Sequence, residues 1–265
     1  ADSLAALGSQ PLNKTKITNL PSLGYLPSDK PEGVALLPDG RIAILNDNDF
    51  GLEPGAEAVQ LGIIDFGGSN GLDASDKDDA INIQQQPVFG LYMPDSIASF
   101  ESGGETFYVI ANEGDDRGDE NLGRLTVSSL DGDIDGDGDL DRIVSYGGRS
   151  FSVLDANGNI VFDSGDQIAR ITAEAAPELF NANDGDPEEF DNRSDNKGAE
   201  PEAFTTGDIG GKTLAFVGQE RAGGGVLVYD LSNPREPEFK QYIRNDEDIA
   251  PEGLAFISAE DSPSG

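Results

Sequence analysis

Hydrophobic residues fall in short runs that are separated by turn residues along the whole chain. The runs that carry this pattern most clearly are residues 34–37, 42–45, 61–64, 107–110, 214–217 and 226–229. They are rich in Val, Ile, Phe, Leu and Tyr and bounded by Gly, Pro, Asp and Asn, which is typical of β-strands. One segment, 167–180, has helical composition, and Pro177 limits its length. The pattern predicts an all-β fold.

A longer pattern recurs within these runs. A proline, an acid, a small residue and an apolar residue lead into a strand, a glycine turn and a second strand, which closes on an amide followed by an acid. The copies begin at Pro31, Pro94, Pro201 and Pro251. The first three copies close at Asn46-Asp47, Asn112-Glu113 and Gln219-Glu220, and the fourth is cut short at residue 265.

Hairpin geometry brings the two ends of each copy together. With a two-residue turn at Asp39-Gly40, Glu32 falls opposite Asp47 to within a residue. Repeated hairpins in an all-β chain predict a β-propeller of roughly five to seven blades, as an incomplete or shortened ring. A β-sandwich is the main alternative. A hairpin without the motif, between 147 and 166, is expected to form a separate unit.

We therefore expect an N-terminal strand or extension over residues 1–30. A propeller domain over 31–265 follows, with a calcium-loop insertion near 131–144.

The amino-acid composition limits the kinds of catalytic and binding site that the protein can form. The 265 residues include 17 Lys and Arg against 51 Asp and Glu, for a net charge of −34, and there is no Cys and no His. Thiolate nucleophiles, zinc ribbons and histidine-based sites are therefore excluded. The negative charge disfavours nucleic acid and anionic membranes as partners and favours divalent cations. No apolar run is long enough to span a bilayer, and the composition suits a secreted or surface protein of bacteria.

The acidic run that begins at Asp133 resembles the start of a calcium-binding loop. Acids at relative positions 1, 3 and 5 with Gly138 at position 6 match such a loop, but its closing position holds Val144. Closure would come from Asp141, a backbone carbonyl or a distant acid. The predicted ligands are Asp133, Asp135, Asp137, Asp139 and Asp141. The alternative is a solvated acidic turn.

The acids of the repeat form a second candidate site. If the hairpins surround a channel, these acids converge on its mouth and require Ca²⁺ or Mg²⁺ to offset their repulsion. They are Glu32, Asp47, Asp95, Glu113, Glu202, Glu220 and Glu252. Alternatively, they cap strand ends and accept backbone N–H bonds.

Basic residues are scarce and lie near the acidic repeat segments. They are Arg117, Arg149, Arg193, Lys197 and Arg221. We expect them to pair internally with the acids, and the alternative is that they bind an anionic substrate group.

Several motifs, in this order, resemble the bacterial choice-of-anchor I domain family. They are GLYMPD at 90–95, ANEGD at 111–115, GRSFS at 148–152, RSDNKGAEPE at 193–202 and PEGL at 251–254. The segment 36–50 is also similar to phytase-like esterase propellers. The resemblance implies a propeller in secreted or wall-anchored proteins, which are often labelled alkaline-phosphatase-like.

Two functions remain open at this point, beside a purely structural scaffold. The first is a calcium-binding surface module that supports attachment, for instance to a surface polymer. The second is a metal-dependent phosphoester hydrolase. In it Glu202 would activate water, and Arg193 or Lys197 would offset the developing charge.

Overall fold

The computed structural model describes residues 30–36, 42–47, 63–114, 120–122, 125–221, 223–245 and 250–262. Within these ranges the protein is mostly β, with fifteen strands, two short helices and three 3-10 turns. The strands are β1 (Lys30–Leu36), β2 (Ile42–Asp47), β3 (Ile63–Asp65), β4 (Val88–Leu91), β5 (Pro94–Ser102), β6 (Glu105–Asn112), β7 (Glu120–Leu122), β8 (Leu125–Val127), β9 (Ile143–Ser145), β10 (Ser150–Asp155), β11 (Ile160–Asp163), β12 (Pro201–Ile209), β13 (Lys212–Gln219), β14 (Val226–Asp230) and β15 (Glu238–Ile243).

The helices are few and short. The first, α1 (Ser129–Gly132), is a single turn, and the second, α2 (Gln167–Ala175), ends before Pro177 as its composition predicted. The 3-10 turns span Pro177–Leu179, Asn183–Gly185 and Pro187–Glu189. No helix in the described ranges is long and apolar enough to cross a membrane.

The strands form four sheets. Two are four-stranded and antiparallel, in the orders β11-β10-β6-β5 and β12-β13-β14-β15. A five-stranded sheet, β3-β4-β9-β8-β7, contains one parallel pair, β4 with β9, and β1 pairs with β2 alone. The all-β prediction is therefore confirmed at the level of a mostly β fold.

The repeat corresponds to three hairpins with the same register. The leading proline pairs with the closing amide in each: Pro31 with Asn46, Pro94 with Asn112 and Pro201 with Gln219. A bulge follows each proline, at the position of the acid. An extra residue in one strand bends it locally and changes the direction of its side chain. The leading acid of each copy therefore lies at a bulge, at the same place in its hairpin.

Two details differ from the prediction. Asp47 pairs with Lys30 and not with Glu32, because the strands pair one residue out of the predicted register and the bulge adds one more. The hairpin predicted between 147 and 166 is found, as β10 with β11, but it is not a separate unit. Strand β10 also pairs with β6 and extends the β5–β6 hairpin into a four-stranded sheet. The fourth copy forms no strand within 250–262.

The main core lies between the two four-stranded sheets. Phe151 on β10 is fully buried, and its ring packs edge-on against Tyr229 at 4.7 Å and against Phe204 at 5.8 Å. Phe100 and Phe107 stack beside it across the β5–β6 hairpin. A second cluster, including Phe66, Leu72 and Val127, fills the space under the five-stranded sheet.

The leading strands of the three hairpins are neighbours. Strand β5 lies against both β1 and β12. The Thr206 hydroxyl on β12 donates to the Ser99 carbonyl on β5 at 3.3 Å. The acid-bearing ends of β5 and β12 are thereby brought close together.

Candidate metal centre

Four of the predicted channel acids meet at the ends of the β5–β6 and β12–β13 hairpins. Asp95 and Glu202 occupy the two bulges, and Glu113 and Glu220 directly follow β6 and β13. One carboxylate oxygen from each of Asp95, Glu113 and Glu202 lies within 4.8 Å of the other two. Glu113, Glu200 and Glu220 satisfy the same condition. We call these five acids the acidic centre.

Glu200 is the member that the sequence analysis missed. Its side chain is completely buried, and its backbone has a positive φ of 41°, which is uncommon for a residue other than glycine. Glu200 directly precedes the repeat proline, Pro201. The repeat pattern includes only the acid that follows this proline, so the sequence analysis predicted Glu202 and not Glu200. The unusual backbone conformation at Glu200 brings the side chains of both Glu200 and Glu202 to the acidic centre.

Three of the scarce basic residues pair with the acidic centre. The Arg193 guanidinium donates to both carboxylate oxygens of Glu200, at 2.9 and 2.6 Å. Lys197 Nζ lies 3.0 Å from one oxygen of Glu113 and 3.0 Å from one of Glu200. Arg221 donates to Glu220 at 2.9 Å and also bonds to Asp184 at 3.1 Å. The predicted internal pairing is found at these three positions.

Arg149 has a different set of partners. Arg149 is buried and donates to the backbone carbonyls of Asp73, Ser194 and Asn196. Burial lowers its pKa to about 10, although nearby acids oppose the change. Arg117 lies outside the described residues.

Two carboxylates of the acidic centre, Glu202 and Glu113, have raised pKa values and so resist ionisation. Burial and the charges of Glu113, Glu220 and Asp95 raise the pKa of Glu202 to about 9. Burial raises the pKa of Glu113 to about 7, and the adjacent Lys197 offsets only part of the rise. Burial also opposes ionisation of Glu220, but hydrogen bonds from Arg221 and Glu202 bring the pKa of Glu220 below its usual value. The environment therefore favours the protonated form of Glu202 near neutral pH and the ionised form of Glu220.

Acids outnumber bases in the described part of the acidic centre. Its described ion pairs join Arg193, Lys197 and Arg221 to Glu113, Glu200 and Glu220, so five ionised carboxylates would exceed these three cations. Like charges at this separation disfavour full ionisation unless a cation joins them. A single divalent ion would neutralise this surplus.

The closing amides of the repeat have a different role from the acids beside them. Asn112 is fully buried and donates to the hydroxyls of Ser150 and Ser152, at 3.0 and 2.8 Å. Gln219 is also fully buried, and its side-chain oxygen accepts from Thr172 and Tyr242. The amides anchor the ends of the hairpins within the protein, and the acids that follow them face the acidic centre.

Of the remaining predicted channel acids, Glu252 is not grouped with the acidic centre. Glu252 is exposed on an extended segment outside the strands, because the fourth copy forms no hairpin within the described residues. Glu32 and Asp47 lie in β1 and β2, and their side chains are outside the described part of the structure.

The predicted calcium loop is an exposed turn that follows α1. Carboxylate oxygens of Asp133, Asp135 and Asp141 lie within 4.8 Å of one another, and Asp137 and Asp139 are not in this group. The Asp133 carboxylate accepts backbone N–H bonds from Gly136, Asp137 and Gly138. Val144, at the closing position, is fully buried in the core, so Asp141 takes its place beside the other acids. Calcium binding by this loop stays a prediction.

Two relationships to known proteins were found. The choice-of-anchor I domain model matches residues 49–120 and 117–234, which together exceed half of the chain. Gigasin-3a of Magallana gigas is 39% identical over 119 residues, which cover 42% of this chain and 40% of Gigasin-3a. The chain thus spans less than half the length of this relative. No solved structure matches significantly.

The matched residues include both hairpins that build the acidic centre, together with Arg193, Lys197 and Arg221. They also include four of the five motifs on which the resemblance rested, all but the PEGL at 251–254. The chain belongs to the choice-of-anchor I domain family.

Proposed function

We propose that this protein is a calcium-binding module of a surface or secreted protein, and that its acidic centre holds a divalent ion between Asp95, Glu113 and Glu202. The observation that carries the proposal is the approach of three carboxylates, from two hairpins, to within 4.8 Å of one another. Calcium binds oxygen ligands at about 2.3–2.6 Å, so two ligands of one ion lie at most roughly 5 Å apart. The separation of the three acids meets this requirement.

The chemistry of the site favours a hard cation. Every side-chain ligand within the group is a carboxylate, and carboxylates suit Ca²⁺ and Mg²⁺. Calcium tolerates irregular coordination, whereas Mg²⁺ requires a near-octahedral arrangement. Because the carboxylates come from two bulges and a strand end, we favour calcium, with magnesium as a weaker competitor.

The role as a surface module is supported by the family. Membership in the choice-of-anchor I family indicates a cell-surface or secreted protein. Attachment, for example to a surface polymer, is our proposal for what the module does there. The calcium ion would stabilise the ends of the two hairpins that carry the acidic centre.

The arrangement of the hairpins supports a propeller as the underlying architecture. Each four-stranded antiparallel sheet begins with a strand that carries a repeat acid, and these leading strands lie next to one another. Propeller blades are four-stranded sheets arranged around a central channel, lined by their first strands. We propose that β1, β5 and β12 are inner strands of such blades.

Calcium binding can be measured directly by titration calorimetry on the full chain. Glu202→Gln replaces a carboxylate of the acidic centre by a neutral amide, which is a weaker calcium ligand, and keeps the size of the side chain. We expect the affinity of the centre for calcium to fall at least tenfold. Magnesium should displace calcium only at much higher concentration.

A matched control lies on the same hairpin. Glu101→Gln changes an exposed acid near the far end of β5 and leaves the net charge equal to that of Glu202→Gln. It should bind calcium as the unmodified protein does. Equal binding by all three proteins would refute the assignment of the ion to the acidic centre.

One observation favours hydrolysis as a second candidate function. The pKa of Glu202 is raised and that of its neighbour Glu220 is lowered, and paired carboxyls with separated pKa values are typical of acid–base catalysis. In this alternative, Glu202 would activate the attacking water by accepting its proton, and bound calcium would hold a phosphoester. Arg193 and Lys197, the other predicted catalytic residues, are occupied by Glu200 and Glu113, so they would position these acids rather than bind phosphate.

Turnover of a generic phosphoester separates the two functions. A hydrolase should release phosphate in calcium, lose activity in a chelator, and lose it again in Glu202→Gln with calcium restored. A binding module should show no turnover in any of these conditions.

A further inference from the structure

A third acidic cluster lies apart from the acidic centre and from the loop at 133–141. It consists of Asp73, Asp78 and Asp191, and one carboxylate oxygen from each lies within 4.8 Å of the other two. More than a hundred residues of chain separate Asp191 from the other two acids. No sequence pattern connects them, so the fold alone brings them together.

Asp73 organises the loop that carries two of these acids. A pair of backbone hydrogen bonds between Leu72 and Gln84, at 2.8 and 3.1 Å, closes the base of the loop. The Asp73 carboxylate accepts the backbone N–H of Asn82 at 2.5 Å from the opposite side. Asp73 is only 3% exposed, whereas Asp78 is exposed at the tip. The loop thus presents one buried and one accessible carboxylate.

Asp191 approaches the loop from a different part of the chain. It is completely buried, and its positive φ of 66° is uncommon for a residue with a side chain. One carboxylate oxygen accepts the Ser194 hydroxyl at 2.5 Å, and the other is buried with no hydrogen-bond partner. A buried carboxylate oxygen without a partner is unfavourable and requires an explanation.

No basic side chain within the described residues forms an ion pair with these three acids. Lys77, their nearest neighbour in sequence, pairs with Asp76. The terminal guanidinium nitrogens of Arg149 donate to backbone carbonyls, although its charge favours ionisation of Asp73. Burial raises the pKa of Asp191 to about 7, with the charges of Asp73 and Asp78 adding to the rise and the Ser194 hydroxyl offsetting part of it.

We propose that Asp73, Asp78 and Asp191 bind a further calcium ion, which fastens the 72–84 loop to the segment that follows Phe180. The unpartnered oxygen of Asp191 would be one ligand. All three side-chain ligands are carboxylates whose spacing fits a shared hard cation. Because Asp78 is exposed, water can reach the ion and complete its coordination. The ion would relieve the repulsion between two buried carboxylates.

This ion would also act on the acidic centre. Asp191 lies two residues before Arg193, which holds Glu200, and six before Lys197, which holds Glu113. Fixing Asp191 would fix the segment that supplies both cations. The proposed ion would therefore hold Arg193 and Lys197 in position beside the acidic centre, although its three ligands do not belong to that centre.

Limited proteolysis gives a local test on the full chain. The Lys77 side chain is 57% exposed and lies between the two loop acids, so endoproteinase Lys-C can cut after it when the loop opens. We expect calcium to slow cleavage after Lys77 at least tenfold in the unmodified protein. Asp78→Asn, an exposed change that leaves both buried acids in place, should abolish this protection and lower the bound calcium by one ion per chain.

The control is Asp79→Asn. Asp79 is exposed in the same loop with a positive φ of 48°, which asparagine tolerates, and it lies outside the cluster. It should retain full protection and stoichiometry. Protection that persists in Asp78→Asn, or no protection in the unmodified protein at saturating calcium, would overturn the proposal. Glu202→Gln should keep the protection of Lys77 even if the acidic centre binds no ion, so failure of either site can be recognised separately.

Discussion

At the scale of single residues, the most constrained side chain is Glu200. It is completely buried and accepts hydrogen bonds from Arg193 and Lys197, whose side chains are themselves only 18% and 14% exposed. Removing one partner from a buried ion pair leaves the other charge unpaired, which destabilises more than the pair itself stabilises. Glu200 therefore supports the acidic centre even where it does not contact the ion.

Replacing Glu200 by glutamine should destabilise the protein by about 3 kcal/mol. The cause is that Arg193 loses its bidentate partner and Lys197 keeps only Glu113. Urea unfolding in calcium-containing buffer measures the change.

The control for Glu200 is a more exposed pair. Lys212 pairs with Asp230, and its side chain is 57% exposed, so Lys212→Ala should cost less than about 1 kcal/mol. An equal effect of the two substitutions would contradict the special role of Glu200.

The protonation of Glu202 gives the protein a characteristic pH dependence in the absence of divalent ions. Burial and neighbouring acids raise its pKa from 4.5 to about 9, so the folded state holds a proton that the unfolded state has lost. The stability contributed by this group is complete below pH 4.5 and declines as the pH rises towards 9. Urea midpoints measured in chelator between pH 5 and 9 should show this decline, and Glu202→Gln should make it shallower. An identical slope in the two proteins would show that Glu202 is ionised throughout this range.

At the scale of elements, the hairpins were predictable and their assembly was not. The Pro-acid start, the glycine turn and the amide-acid end fix each hairpin locally, and the register pairs Pro94 with Asn112 and Pro201 with Gln219. The pairing of β10 with β6, and of β4 with β9, depends on contacts between distant segments that no local pattern encodes.

The same limit applies to the sites. Asp95 and Glu202 hold the leading acid position of the repeat and Glu113 and Glu220 the closing one, so their convergence followed from the hairpins. The position of Glu200 depends on an unusual backbone conformation, which the sequence pattern does not encode. The approach of Asp191 to Asp73 depends on how two loops that are distant in sequence pack together.

The double-glycine turns provide a prediction at this scale. Gly210 and Gly211, which join β12 to β13, have φ values of 61° and 78°, and a Cβ at Gly211 would meet no atom within 4 Å. A side chain at position 211 would therefore meet no steric clash, and its only cost would be the positive φ of the backbone. Gly211→Val should destabilise the protein by about 1–2 kcal/mol, as measured by urea unfolding. Gly211→Asn should cost clearly less, because asparagine tolerates positive φ; equal losses would point to a different origin.

At the scale of the whole molecule, the dominant property is a net charge of −34. Such a charge destabilises a compact state through self-repulsion unless bound cations reduce it. Carboxylates gathered in the acidic centre, the Asp73 cluster and the 133–141 loop are the positions at which divalent ions would reduce it most effectively.

Removing divalent ions should therefore lower the stability of the whole protein. A site saturated at a hundred times its Kd contributes about 2.7 kcal/mol, and independent sites add. Thermal melting in 1 mM calcium and in chelator measures the difference, with high NaCl as the control for general charge screening. A melting temperature that responds to NaCl but not to chelator would attribute the stabilisation to screening alone.

The most direct measurement is a crystal structure grown in calcium, with anomalous scattering used to locate the ions. We predict an anomalous peak within about 2.3–2.6 Å of oxygens from Asp95, Glu113 and Glu202. Well-ordered carboxylates in the acidic centre, sharing protons with one another and showing no peak between them at saturating calcium, would contradict the account.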